Sequence, residues 1–233
     1  MGHLKRLLAP RFWRIPRKVL TWVVTPSPGP HPKEESIPLL VIVRDILGIV
    51  ETAKDAKKII KMGEIFVDGK SRKDHKFPVG LMDVIEIPKM EKIYRVVPFK
   101  HGLKLIEIPK KEAKLKLCRI NNKTTVRGGK IQLNLHDGRN ILVEKDVYKT
   151  GDSILIEIPE QKIVDHVKME KGNMAIIIGG ENRGKVVKVE EVIVTRSREP
   201  NKAICLHENE KIITIKDYVF MVGKDKPLIK ITE

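Results

Sequence analysis

The chain is expected to fold as an α+β, multidomain and mostly β protein, and three features of its sequence say so. Helical periodicity is confined to residues 36–62. Short β-branched runs bounded by Gly, Pro, Asn and Asp recur from residue 65 to the end. Ahead of both, Pro10, Pro16, Pro26, Pro28, Pro30 and Pro32 break any long helix. The boundaries that follow are an extended basic arm over residues 1–35 and a small helix–helix–hairpin module over 36–89. A central β domain over 90–170 and a C-terminal β-barrel over 171–233 complete the chain.

The arm is the most unbalanced stretch. Within the 233 residues, 46 Lys plus Arg stand against 30 Asp plus Glu, a net charge of +16. Residues 1–33 hold Lys5, Arg6, Arg11, Arg14, Arg17, Lys18 and Lys33 and no acid, so nearly half of that net charge lies in these first 33 residues. Such a balance favours a polyanion, nucleic acid before an anionic membrane. Phe12, Trp13 and Trp22 alternate with these cations. Rings stack on bases and guanidinium groups bridge phosphates, so Trp13 and the arm cations, together with His3 and His31, are candidate RNA contacts. The competing reading is an arm that wraps its own protein with Trp13 and Trp22 as packing anchors.

In the module, Ser36 is expected to cap a first helix with Pro38 in its opening turn, an apolar face of Leu39, Leu40, Val43, Ile46 and Leu47, and Gly48 at its end. Thr52 with Asp55 three residues on starts a second helix, and Gly63 stops it. Lys54, Lys57, Lys58 and Lys61 recur at i, i+3, i+4 and i+7 on one face; Ala53, Ala56, Ile59 and Ile60 take the other. Taken alone, such a face is more readily a solvated surface than a phosphate-binding one. Residues 65–67 read as a strand, Asp68-Gly69 as a tight hairpin turn and 83–87 as another strand. Arg44, Lys70, Arg72 and Lys73 add cations around the helices.

Beyond residue 90 the pattern is β throughout. Residues 96–99, 104–108, 131–135, 141–143 and 153–158 are turn-bounded strands, and Arg127-Gly128-Gly129-Lys130 is a basic loop. Residues 171–189 read as strand, glycine-rich loop and strand, with Arg183 and Lys185 at the loop tip. At least three more strands are expected from 202 to 231.

Catalytic signatures fail on inspection. Gly179-x-x-x-x-Gly184-Lys185 approaches a phosphate-binding loop, but Val186 stands where a hydroxyl should meet Mg²⁺, and a β-like run follows where a helix is required. The seven histidines show no metal-binding spacing, and Cys118 and Cys205 form no C-x-x-C pair. No enzyme, metal, cofactor or small-molecule substrate is expected. No apolar run approaches the length of a membrane span, so no membrane partner is expected either.

Two local resemblances sharpen the reading. Residues 56–70, with Ala56-Lys57-Lys58-Ile59 and Gly63-Glu64-Ile65-Phe66-Val67-Asp68-Gly69-Lys70, resemble the αL-type RNA-binding motif of ribosomal proteins, pseudouridine synthases and tyrosyl-tRNA synthetases. Many members carry Arg directly after the helix cap; Ala53 stands there in this chain, beside Lys54. Residues 171–189 resemble the KOW motif of small SH3-like barrels. Almost from end to end, the chain is similar to the archaeal and eukaryotic small-subunit ribosomal protein four of the e-type. The residues carrying this are Gly2-His3-Leu4-Lys5-Arg6-Leu7, Trp13-x-Ile15-Pro16-Arg17-Lys18, Pro28-Gly29-Pro30-His31, Arg44-Asp45, residues 76–84 and residues 128–140.

The resemblance implies a structural component of the small ribosomal subunit in the cytoplasm. Its partners would be the 5′ part of the small-subunit ribosomal RNA and neighbouring ribosomal proteins. The alternatives are an RNA-modifying enzyme or a transcription elongation factor that borrows the same RNA-binding modules.

Overall fold

The computed structural model describes residues 3–208 and 210–231. Two compact units emerge. One runs to Val97 and takes in His101–Lys114; the other holds Pro98–Lys100 and the chain from Leu115.

The first unit begins with the arm, which is folded rather than extended. Strand β1 (Leu4–Lys5) pairs antiparallel with β2 (Trp22–Val23). Ala9, Trp13, Ile15 and Val23 are buried in one apolar core with the helices that follow. The Trp13 indole N–H donates to the Ser36 carbonyl at 2.9 Å. Burying a ring of this size removes more apolar area from water than any other arm residue, which fixes the arm's path.

Strand β3 (Ile37–Pro38) pairs with a later strand, and helix α1 (Leu39–Val41) runs on into a π-helical turn over Ile42–Ile46. This corrects the expected cap: Ser36 is extended and buried, its hydroxyl makes no hydrogen bond, and the helix starts three residues later. Pro38 and the pairing of Ile37 with Val79 hold the backbone extended up to Leu39. Helix α2 (Ala53–Met62) follows the expectation closely. The Thr52 hydroxyl oxygen accepts from the Asp55 N–H at 3.1 Å, and Gly63 closes the helix at φ +78°. That left-handed conformation strains any residue bearing a Cβ.

Strands β4 (Phe66–Val67) and β5 (Lys70–Ser71) form the hairpin around Asp68 and Gly69, both at positive φ as a type I′ turn requires. Strand β6 (Pro78–Val79) is the partner of β3. Strands β7 (Val84–Ile87), β8 (Lys92–Phe99) and β9 (Gly102–Glu107) extend the hairpin into a sheet of order β5-β4-β7-β8-β9. The boundary drawn at residue 90 therefore falls inside a sheet: most of β8 and all of β9 continue the helical module rather than opening a central domain.

The second unit contains two five-stranded antiparallel sheets. The first has β10 (Leu115–Thr125), β11 (Ile131–Leu135), β12 (Asn140–Val143), β13 (Ser153–Glu157) and β14 (Lys162–Val167) in the order β12-β11-β10-β13-β14. Its central strand β10 and its edge strand β14 are additions to the strands expected from sequence. The second has β15 (Met174–Ile177), β16 (Val186–Ile193), β17 (Lys202–His207), β18 (Glu210–Ile215) and β19 (Val219–Gly223) in the order β18-β17-β16-β15-β19. Ala175, Ile177, Val187, Val189, Ala203, Cys205 and Met221 form its core. The Gly179–Lys185 run lies in the loop from β15 to β16, and a strand follows Lys185, so the helix that a phosphate-binding loop needs is replaced by β structure.

Candidate nucleic-acid interface

Helix α2 is built to show one face. Ala56 and Ile60 are fully buried, and Ala53 and Ile59 pack against the same core. The helix is thereby clamped with Lys54, Lys57, Lys58 and Lys61 all exposed on the opposite side. Among the described residues, none of these four ammonium groups makes an ion pair. Lys70 and Lys73 are exposed beside them on the hairpin side. The Ser71 hydroxyl donates to the Gly63 carbonyl at 2.9 Å, which ties that side to the helix end. Arg72 is half-buried, its guanidinium stacked 4.3 Å from the Phe77 ring centroid.

His75, not among the residues picked from sequence, senses the charge of this face. Burial lowers its pKa first, and Lys57, Lys76 and Lys61 lower it further, against the opposing pull of Asp74. The only trace of His75 in the sequence is its place in a run of four cations, which does not reveal that it folds back toward α2.

The arm residues divide into two groups. His3, Lys5, Arg11, Arg14 and Lys18 are exposed. Arg6, Trp13 and His31 are buried and Arg17 is half-buried, and all four make contacts that serve the fold. Arg6 is 1% exposed; its Nη2 lies 2.6 Å from Asp45 Oδ1, and its Nε donates to the Pro16 carbonyl at 2.5 Å. Arg17 donates to the carbonyls of Leu7, Ala9 and Pro10. His31 is buried with Nε2 3.0 Å from Asp83 Oδ1, and its ring lies where a side chain on residue 80 would stand, which makes Gly80 obligatory. Arg44 belongs with them, its guanidinium closing on Asp45 Oδ2 at 2.7 Å. Desolvated cations need partners, and these arginines have found theirs inside the chain.

In the second unit, Arg127 and Lys130 are exposed on the turn between β10 and β11. Arg183 and Lys185 are half-buried in the β15–β16 loop. Cys118, His136 and Asp137 bring potential ligand atoms within 4.8 Å of one another. However, the Asp137 carboxylate already faces Lys116 Nζ at 2.9 Å and Arg139 Nε at 3.4 Å. Burial pushes its pKa up, but Lys116, His136 and Arg139 outweigh that and hold it at about 2. The cluster is an internal ion-pair network in which one carboxylate is already engaged by two cations, and it suits a metal ion poorly.

A clamped helix with an unpaired cationic face, set among further exposed cations, defines the class: a modular RNA-binding protein. Known proteins agree. Family models match in three consecutive pieces, the RS4NT domain over residues 2–34, the S4 domain over 37–85 and ribosomal family S4e over 90–163. The chain is 54% identical to the small ribosomal subunit protein eS4 of Archaeoglobus fulgidus, over 97% of each chain. It is 50% identical to that of Ignicoccus hospitalis, over 99% of this chain and 95% of the relative. The crystal structure of the 30S ribosomal protein S4e from Thermoplasma acidophilum superposes with a TM-score of 0.71 at 34% identity, covering 82% of this chain and 96% of that one. The chain belongs to the S4e family of ribosomal proteins. It is a structural protein and not an enzyme.

Proposed function

We propose that the chain binds the 5′ part of the small-subunit ribosomal RNA and holds it in place within the cytoplasmic small subunit, beside neighbouring ribosomal proteins. The observation that carries this is the α2 face. Four ammonium groups on a helix locked from behind present a rigid array to phosphates, and each phosphate neutralised releases counterions. Lys54, Lys57, Lys58 and Lys61 make the principal docking surface, with Lys70, Arg72 and Lys73 at its edge. The exposed arm residues His3, Lys5, Arg11, Arg14 and Lys18 supply a second set of contacts, and Arg127 and Lys130 a third. The glycine-bounded loop carrying Arg183 and Lys185 acts as the KOW element of an SH3-like barrel.

The test is the salt dependence of binding to a small-subunit ribosomal RNA transcript. Changing Lys54, Lys57 and Lys61 together to Glu is expected to flatten the slope of log K against log [salt] by about 2–3, at roughly 0.7–0.9 for each phosphate no longer neutralised. An unchanged slope would sink the lysine-face reading. Cosedimentation of the native protein with 30S particles at moderate salt checks the assembly it works in.

A further inference from the structure

A second polar feature lies in the second unit and is built from none of the residues assigned above. A cleft of about 460 Å³ is lined by Arg119, Asn121, Thr150, Asn201, Lys216 and Asp217, with Ile120 and Gly151 completing the lining. The volume falls within the range of about 300–1,000 Å³ usual for sites that enclose a small ligand or one unit of a larger one. Four separate chain segments build it: the middle of β10, the turn before β13, the entry to β17 and the turn between β18 and β19.

The donors and acceptors in this cleft are not balanced. The Asn121 Oδ1 already accepts from Arg119 Nε at 3.0 Å, and the Asn201 Oδ1 accepts from the Thr195 N–H at 3.0 Å. Both amides are thus oriented with their NH₂ groups left to donate. Arg119 is braced by the Asp217 backbone carbonyl, and the Lys216 N–H by the Asn201 carbonyl at 2.8 Å, so the two cations are carried on a fixed frame. The Lys216 side chain crosses over Gly151, its Cε 3.4 Å from where a Cβ on that residue would stand. Among the described residues, Lys216 makes no ion pair. The Thr150 hydroxyl adds one more group able to donate. Asp217 is the single carboxylate in the lining, and it is exposed.

A cleft whose fixed side chains donate from two cations, two amides and a hydroxyl selects an anionic ligand rich in acceptor oxygens. We propose that this cleft is a second RNA site, which takes the phosphate and ribose of one nucleotide from a single-stranded stretch of the RNA. Lys216 and Arg119 meet the phosphate; Asn121 and Asn201 donate to its ester and sugar oxygens. The proposal rests on the RNA-binding reading above and adds a contact in the half of the chain where that reading places only loop cations.

The experiment uses the full chain and a small-subunit ribosomal RNA transcript. In the double variant Lys216→Ala, Asn121→Ala the affinity is expected to fall and the salt slope to flatten by about 0.7–0.9, the signature of one phosphate contact, with an unchanged melting profile. Acetylation footprinting of the wild-type protein needs no variant and decides the matter if the double variant misfolds: Lys216 is expected to be protected when RNA is bound. If the slope is unchanged and Lys216 is modified equally with and without RNA, while the α2 variants still weaken binding, the cleft proposal is overturned and the lysine face stands. Failure of the α2 variants alone leaves the cleft supported and removes the first reading. Saturation of the cleft by adenosine monophosphate as tightly as by the transcript would assign it to a free nucleotide and also overturn the proposal.

Discussion

The arm and helix α2 are both rich in cations, yet they use them in opposite ways. In the arm, Arg6 and Arg17 turn inward to Asp45 and to the carbonyls of Leu7, Ala9, Pro10 and Pro16. On α2, all four lysines stay in solvent without an ion pair among the described residues. The difference follows from side-chain chemistry. A guanidinium offers five donors in a planar fork and carries little hydration, so it satisfies several carbonyls at once in a buried site; an ammonium is a strongly hydrated point charge that is costly to bury. A count of positive charges therefore overstates the exposed charge of the arm and matches that of α2.

The contrast breaks most visibly at Trp13. Trp13→Ala is expected to cost about 3–5 kcal/mol, because it empties a packed site and leaves the Ser36 carbonyl without its donor. Denaturant unfolding measures this, and a drop of less than about 1 kcal/mol would mean that the arm is not part of the core. Next comes Asp45→Ala, which leaves Arg6 buried beside Arg44 with no carboxylate. A destabilisation of about 3 kcal/mol is expected, with faster proteolysis of the arm. On α2 the opposite should hold: the triple change of Lys54, Lys57 and Lys61 should move stability by no more than about 0.5 kcal/mol while RNA affinity drops. A large destabilisation there would erase the distinction.

The smallest effect is the most direct reading of the lysine potential. Burial, then Lys57, lowers the pKa of His75, so Lys57→Gln should raise it toward the ordinary value of about 6.5 in an NMR titration. The folded state holds the His75 proton less well than the unfolded chain does. The neutral ring's contribution to stability is therefore complete above the unfolded pKa. It falls away as the pH drops from about 6.5 through the lowered folded value. No upward shift in the variant would show that Lys57 does not act on the ring.

How much of this is legible in the sequence depends on the range of the forces involved. Thr52, Gly63 and the Asp68-Gly69 turn act within a few residues, and each does what its position predicts. Ser36 fails as a cap because its backbone is held by β3 pairing with Val79, a contact no local pattern displays. Strand β10 escapes a local reading for a similar reason. Lys116 in its interior looks like a solvent-facing residue, but it is fully buried against Asp137 from the neighbouring turn. In the candidate interface the exposed lysines are readable from helical spacing alone. The inward arginines are not, since Arg6 meets its carboxylate 39 positions away. The cleft around Lys216 draws on four segments, and no spacing rule assembles it.

The pairing of Arg6 with Asp45 bears on how fast, and not only how well, the chain joins its RNA. Ordering a loose arm at the moment of contact would take about 1–2 kcal/mol of backbone entropy for each residue fixed. It would also bring the large negative heat-capacity change that marks coupled folding and binding. An arm already fastened to its own helices has incurred that cost at folding. Association should then resemble the docking of one rigid surface on another, with a modest heat-capacity change and an on-rate governed by orientation and electrostatic steering. Loosening the clasp would turn that encounter into coupled folding and binding, with the ordering entropy lost at the moment of contact.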